Sequence, residues 1–302
     1  MKITKTEGLV AAPPTGFMAD GAVDFTVVAP LAEHLSRQGV AGVFVNGTTG
    51  EGASLTTDER EQLAAEWRRV LPSGMKLFVH IGHNSLGEAQ RLGRHAQTIG
   101  ADAVAAIAPS FFKPVGMEGV INWCSSVAAA APELPFYYYH MPSMSGVSLN
   151  IAEFLQRVGD RVPTLAGIKF TFEALGDYCA AARLENGRYD VLWGRDEMLL
   201  GALAMGARGA VGSTYNVAGP LYRRIIAAFD RGDRAAAQAQ QARAIAMIQA
   251  LVATDHFFAA LKALLRLQGV PITPRVRLPL SSGADSDWAQ LQHWVAESNS
   301  LP

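Results

Sequence analysis

The first feature of this 302-residue sequence with chemical meaning is a lysine inside an apolar run. Residues 165–172 read LAGIKFTF, which has the length and composition of a buried strand. A charged amine is costly there unless it is paired or neutral. Alternation along a strand puts Ile168, Phe170 and Phe172 on one face and Lys169 and Thr171 on the other. Desolvation lowers the pKa of an inward amine, and a neutral amine can attack a ketone to form a Schiff base. The alternatives are an ion pair with a carboxylate or a place on an edge strand.

Other groups could share that chemistry. In FYYYHMP, Tyr139 is the last tyrosine before the turn, where a hydroxyl can move a proton; ordinary core packing is the alternative. NGTTGEGASLTTDE has adjacent hydroxyls, Thr48 and Thr49, in a glycine-rich loop suited to holding a carboxylate or phosphate, or serving only as a turn. WGRDEML offers Asp196 and Glu197 as acceptors for sugar hydroxyls, or as acids favouring a helix N-terminus. GAVGSTYN offers Ser213 and Thr214, where barrels often hold phosphate. His80 and His83 stand three apart across a strand end and would diverge, which suits a structural role better than a metal; Asp255-His256 is as weak a signal.

These groups need a scaffold that brings strand ends together. Eight short apolar runs alternate with amphipathic stretches, at 8–12, 42–46, 76–82, 103–109, 136–142, 167–172, 189–194 and 207–213. Thr56 and Glu59 have capping-box spacing before a helix whose apolar face is Leu63, Trp67 and Val70. Eight βα units predict a (β/α)8 TIM barrel, whose active site lies at the C-terminal strand ends. An open doubly wound sheet is disfavoured because no G-x-G-x-x-G follows the first strand. From about residue 235 the pattern is helical only, at 235–253, 255–267 and 285–298, with a break at Gly269-Val270-Pro271. The expected organisation is a barrel over 1–234 and a three-helix C-terminal extension over 235–302, capping the same domain.

Composition narrows the partners. Hydrophobic residues make up 49%, charged residues 18%, and the net charge is -1. Nothing electrostatic calls for nucleic acid or an anionic membrane. The two cysteines, Cys124 and Cys179, lie in helical apolar patterns, so a disulfide framework is not expected. With no apolar leader segment and no membrane-length run, a cytoplasmic location is expected.

Taken together, NGTTGE, YYYHMP, GIKFT and GSTYN, in this order, resemble the pyruvate-dependent class I aldolases. That family contains N-acetylneuraminate lyase and dihydrodipicolinate synthase, and the likeness covers almost the whole chain. GVFVNGTTGEG, MGARGAVGSTYN and RLPL place it nearer the lyase branch. The resemblance implies that Lys169 forms the Schiff base, Tyr139 handles the proton, and Thr48 and Thr49 hold the pyruvate carboxylate. It implies that Thr171, Asp196, Glu197 and Ser213 bind the sugar portion and that Phe258 lines the pocket. It also implies a homotetramer, pyruvate and a sugar acid as the small molecules bound, and no metal or organic cofactor. The expected reaction is cleavage of N-acetylneuraminate; dihydrodipicolinate synthesis or another 2-oxo acid aldol reaction is the alternative. The synthase usually has an arginine where this chain has Met144, and tyrosines where it has Phe111-Phe112.

Overall fold

The structure, a computed structural model, describes residues 3–284, 288 and 291–294. Eight parallel strands close into a barrel in chain order: β1 Gly8–Ala11, β2 Gly42–Val45, β3 Lys76–His80, β4 Ala103–Ile107, β5 Phe136–His140, β6 Leu165–Phe170, β7 Asp190–Trp193 and β8 Gly209–Gly212. β8 pairs back onto β1, so the sheet has no edge strand. Around it lie α1 Val28–Gln38, α2 Thr57–Val70, α3 Leu86–Thr98, α4 Gly116–Ala128, α5 Pro142–Ser145, α6 Ile151–Val158, α7 Leu175–Gly187, α8 Leu199–Ala204 and α9 Tyr215–Asp230. The expected (β/α)8 barrel is the observed fold.

Every strand stops one or two residues before its expected end. The ladder itself explains this. Ala12 N donates to Gly212 O at 2.9 Å, Thr171 N to His140 O at 2.8 Å, and Gly194 N to Phe170 O at 2.8 Å. Beyond these last bonds the chain turns away to build loops. β6 begins two residues early, at Leu165, because a register shift between Phe136 and Tyr137 lets Leu165 pair with Phe136.

Two apolar layers follow from the strand alternation. Ile168, Phe170, Tyr138 and Trp193 pack outward against the helices. Phe170 stacks on Trp193 at 5.9 Å between ring centroids. The inner layer combines small residues such as Ala12 and Ala105 with Phe44, Phe78, Tyr137 and Tyr139. At the N-terminal mouth, Tyr137 Oη donates to Asp190 Oδ2 at 2.9 Å and Thr6 N donates to the same oxygen at 3.0 Å. The polar apparatus is thereby left to the opposite mouth.

Local signals set the helix entries. Glu59 N donates to Thr56 Oγ1 at 3.2 Å and Thr56 N to Glu59 Oε2 at 2.9 Å, the expected capping box. Leu63 and Trp67 are buried beneath it. After α9 come α10 Arg234–Val252 and α11 Phe257–Leu267. α11 begins two residues later than expected because Asp255 adopts a left-handed φ of 57° and His256 N donates to Thr254 Oγ1. Of the expected helix 285–298, only 288 and 291–294 lie among the described residues. No single described helix is long and apolar enough to cross a membrane; α10 and α11 qualify only together, and they are bent by 114°. Cys124 is buried, Cys179 is half-buried, and both are free thiols.

Gly167 shows how closely β5, β6 and β7 approach. A methyl group there would overlap the carbonyl oxygen of Asp190 and the Tyr137 ring. Since the obstacle is backbone, Gly167→Ala should destabilise the fold by about 1–3 kcal/mol. Thermal unfolding checks this, and a midpoint equal to the parent's would contradict the packing described.

Candidate active site

The nine residues given site roles by the family resemblance line one cavity of about 230 Å³ at the C-terminal end of the barrel, whereas His80, His83, Asp255 and His256 do not. β6 delivers Lys169, which is only 5% exposed. Its Nζ lies 3.8 Å from the Phe44 ring centroid and 4.0 Å from that of Tyr139. It forms no ion pair among the described residues, so neither the paired nor the edge-strand alternative applies. Burial lowers the ammonium to about 7, against a weaker opposing pull from Asp196. An amine so placed is a nucleophile near neutral pH.

Tyr139, opposite Lys169 in the β5–β6 register, is also buried. Its hydroxyl lies 3.3 Å from Thr48 Oγ1 and donates to Met141 Sδ at 2.9 Å. Burial pushes the phenol up to about 12, while the Thr48 and Thr171 hydroxyls work the other way. Tyr139 therefore holds its proton at neutral pH and can give it up only while receiving another.

The loop after β2 brings in the two threonines. Thr49 Oγ1 is 2.7 Å from Ser213 Oγ, so hydroxyls from two loops meet. Among the described residues, the amides of Thr48 and Thr49 have no protein acceptor. Asn46 and Glu51 flank the turn with left-handed φ values of 60° and 53°. Non-glycine residues hold that conformation only when their surroundings fix it. For Asn46 the support is His80, whose Nδ1 lies 3.0 Å from the Asn46 carbonyl oxygen. For Glu51 it is Lys262 of α11, with Nζ 2.5 Å from Oε1 and both side chains fully buried. Arg277 N also donates to Glu51 Oε2 at 3.0 Å. His80 thus serves the loop, while His83 accepts from Ser85 N at the start of α3.

The loops after β7 and β8 form the other wall. Asp196 Oδ2 accepts from Thr214 N at 2.8 Å and Thr214 Oγ1 at 2.6 Å, and Thr214 Oγ1 is 2.6 Å from Tyr222 Oη. Burial raises the Asp196 carboxyl to about 6, with the Thr214 bonds opposing. Asp196 and Glu197 do stand in the first turn of the 3-10 helix Asp196–Met198 ahead of α8, as the alternative reading has it, but no side chain caps that turn and Asp196 Oδ2 is engaged by Thr214 instead. Glu197 Oε1 is 3.0 Å from Arg195 Nε. Arg195 Nη2 is 2.6 Å from Glu173 Oε1 on the loop after β6. Buried Gln241 of α10 braces this wall, accepting from Leu200 N at 2.9 Å. Thr171 sits just past the end of β6. Phe258 and Phe257 of α11 and Ile248 of α10 complete the apolar rim. Thr214, offered in the sequence beside Ser213, also lines the cavity; Arg195 and Met141 line it and carried no role in the sequence reading. Their signal was proximity alone: Arg195 adjoins Asp196, and Met141 is two residues past Tyr139. Among the described residues, no three His, Cys, Asp or Glu side chains form a group that could hold a metal.

The sequence model of the Dihydrodipicolinate synthetase family matches residues 5–298. The chain belongs to that family. It is 41% identical over 292 residues to the N-acetylneuraminate lyase of Mus musculus, covering 95% of this chain and 91% of the relative. The Proteus mirabilis N-acetylneuraminate lyase structure superposes with a TM-score of 0.93 at 37% identity, covering 99% of this chain and all of that one. An E. coli K12 prophage protein of the dihydrodipicolinic acid synthase family, solved in complex with pyruvate, gives a TM-score of 0.88 at 26% identity, covering 98% and 99% of the two chains.

The electrostatics of this family member have a measurable sign. Only an unprotonated amine adds to a carbonyl, so any reductive trapping of a 2-oxo acid on Lys169 should accelerate as pH rises through about 7. Asp196 raises the Lys169 value, so Asp196→Asn should move this limb to lower pH. Trapping rates across pH 5–9 provide the check.

Proposed function

We propose that the protein is a Schiff-base aldolase that cleaves N-acetylneuraminate to N-acetylmannosamine and pyruvate. The observation carrying this reading is the unpaired, desolvated Lys169 amine facing Tyr139 in a cavity with polar walls. The relatives named as N-acetylneuraminate lyases support the choice of sugar acid. The pyruvate complex of the E. coli relative supports the choice of keto acid.

The substrate enters in open-chain form, with its carboxylate on the amides and hydroxyls of Thr48 and Thr49. Lys169 Nζ attacks the ketone carbon C2, and loss of water leaves a protonated imine. Removal of the C4 hydroxyl proton breaks the C3–C4 bond, and the electron pair flows into the imine. N-acetylmannosamine leaves, and the remaining pyruvate enamine takes a proton at C3. Hydrolysis then releases pyruvate and restores the amine. Tyr139 retains its proton at rest, so it relays the C4 proton by donating while it accepts, with the substrate carboxylate as final acceptor. Thr171, Asp196, Glu197 and Ser213 face the polyol tail, and Phe258 covers it. Every step uses side chains, substrate and water, the water lost on imine formation being replaced at hydrolysis.

The synthase alternative needs a cation for a second carboxylate. Met144 stands at the cavity edge where the synthase carries arginine, and the tail wall sets Glu173 and Glu197 around a single guanidinium. That wall suits hydroxyl donors better than another anion. We further propose a cytoplasmic homotetramer. Phe111, Phe112 and Val115 are 78%, 86% and 90% exposed, an apolar group that assembly would cover.

Borohydride reduction in the presence of pyruvate, followed by peptide mass mapping, should label Lys169. Lys169→Arg should neither trap pyruvate nor turn over, because a guanidinium stays charged. Label on another residue, or none, would remove the Schiff-base mechanism. Tyr139→Phe should still trap pyruvate but lose roughly 10²–10⁴-fold in cleavage, the usual contribution of a positioned proton donor. Near-parental turnover in that variant would exclude the relay.

A further inference from the structure

Among the described residues, Arg195 is the one cation on the tail wall, and no step of the proposed reaction uses it. Its side chain is 28% exposed, Glu197's 33% and Glu173's 51%. Ion pairs this open to solvent contribute little to stability, yet Arg195 is carefully placed. Its carbonyl oxygen accepts from the indole Nε1 of buried Trp193 at 2.5 Å. That bond ties the start of the loop after β7 to the outer aromatic layer. From there Nη2 lies 2.6 Å from Glu173 Oε1 on the loop after β6, and Nε lies 3.0 Å from Glu197 Oε1 as an ion pair outside hydrogen-bond alignment. A planar fork can hold two carboxylates on separate nitrogens, which a lysine point charge does poorly. The contact to Glu197 is on Oε1, which leaves Oε2 for an incoming hydroxyl.

We propose that Arg195 is a positioning residue for substrate specificity: it clamps Glu197 between two loops so that the carboxylate is pre-set to accept hydrogen bonds from the polyol tail. This rests on the reading of the protein as an N-acetylneuraminate lyase and adds a determinant of tail recognition to it. The clamp orders a long acidic side chain before the substrate arrives, which lowers the entropy cost of binding. It acts at the tail and not at the reacting carbon, so binding should suffer and chemistry should not.

The test compares the parent, Arg195→Met, Arg195→Lys, Glu197→Gln and the Arg195→Met/Glu197→Gln double variant. Each is assayed for N-acetylneuraminate cleavage and for borohydride trapping with pyruvate. Arg195→Met should raise KM about tenfold, change kcat less than about threefold, and leave pyruvate trapping unchanged. Arg195→Lys should recover only part of the loss. In the Glu197→Gln background, adding Arg195→Met should change KM less than about twofold, because the two residues act as one unit. An unchanged KM in Arg195→Met would overturn the proposal. So would a full tenfold effect in the Glu197→Gln background, or a parallel loss of pyruvate trapping, which would mark a merely structural role. A parent that traps pyruvate but leaves N-acetylneuraminate uncleaved would instead overturn the functional reading, and the clamp with it.

Discussion

An amine in the interior of a closed barrel holds its charge only weakly without a partner, and this fold withholds an anionic partner from Lys169. The ring faces of Phe44 and Tyr139 and the closed sheet replace water around Nζ. The resulting fall from 10.5 to about 7 is worth several kcal/mol, at roughly 1.4 kcal/mol per pKa unit. Between those two values the unfolded chain binds a proton that the folded chain has released. Stability from this group therefore rises with pH across that window and is least below about 7. The fold accepts a stability cost near neutrality in exchange for a reactive amine.

The same water exclusion treats each neighbour according to its charge type. Asp196 moves up to about 6 and Tyr139 up to about 12, both from burial. The amine and the carboxyl thus converge on neutral pH while the phenol leaves it. A site with two groups near neutrality and one reluctant hydroxyl can shuttle a proton without committing a full charge to a dry pocket. Thr214 limits the shift of Asp196 by donating two hydrogen bonds, from N and Oγ1, to its carboxylate.

The sequence made the barrel legible because its alternation is strong: Ile168 and Phe170 facing helices forces Lys169 inward, and Tyr138 facing out sends Tyr137 and Tyr139 in. The residues of the site were legible as chemical types at strand ends. What they touch was not. Glu51 and Lys262 are 211 residues apart, and Asp196 and Thr214 belong to different loops, so no periodicity connects them. The role of His80 was hidden for a related reason. It acts through the Asn46 carbonyl, and a backbone acceptor leaves no mark in side-chain patterns. Strand ends were overestimated because the apolar run continues into the loops after the ladder has ended. The late start of α11 depended on a left-handed Asp255 that propensity does not announce.

The Glu51–Lys262 pair also bears on the order in which the chain becomes competent. Glu51 emerges early in synthesis and its partner more than two hundred residues later. Until α11 arrives, a carboxylate destined for full burial has no counter-charge, and the left-handed turn beside Thr48 and Thr49 lacks its brace. The strands can pair progressively from the N-terminus, but the turn carrying Thr48 and Thr49 cannot take its final shape on the nascent barrel. Competence is therefore conferred from the C-terminal side: a chain interrupted before α11 would keep the lysine, tyrosine and threonines and still lack the arrangement that joins them.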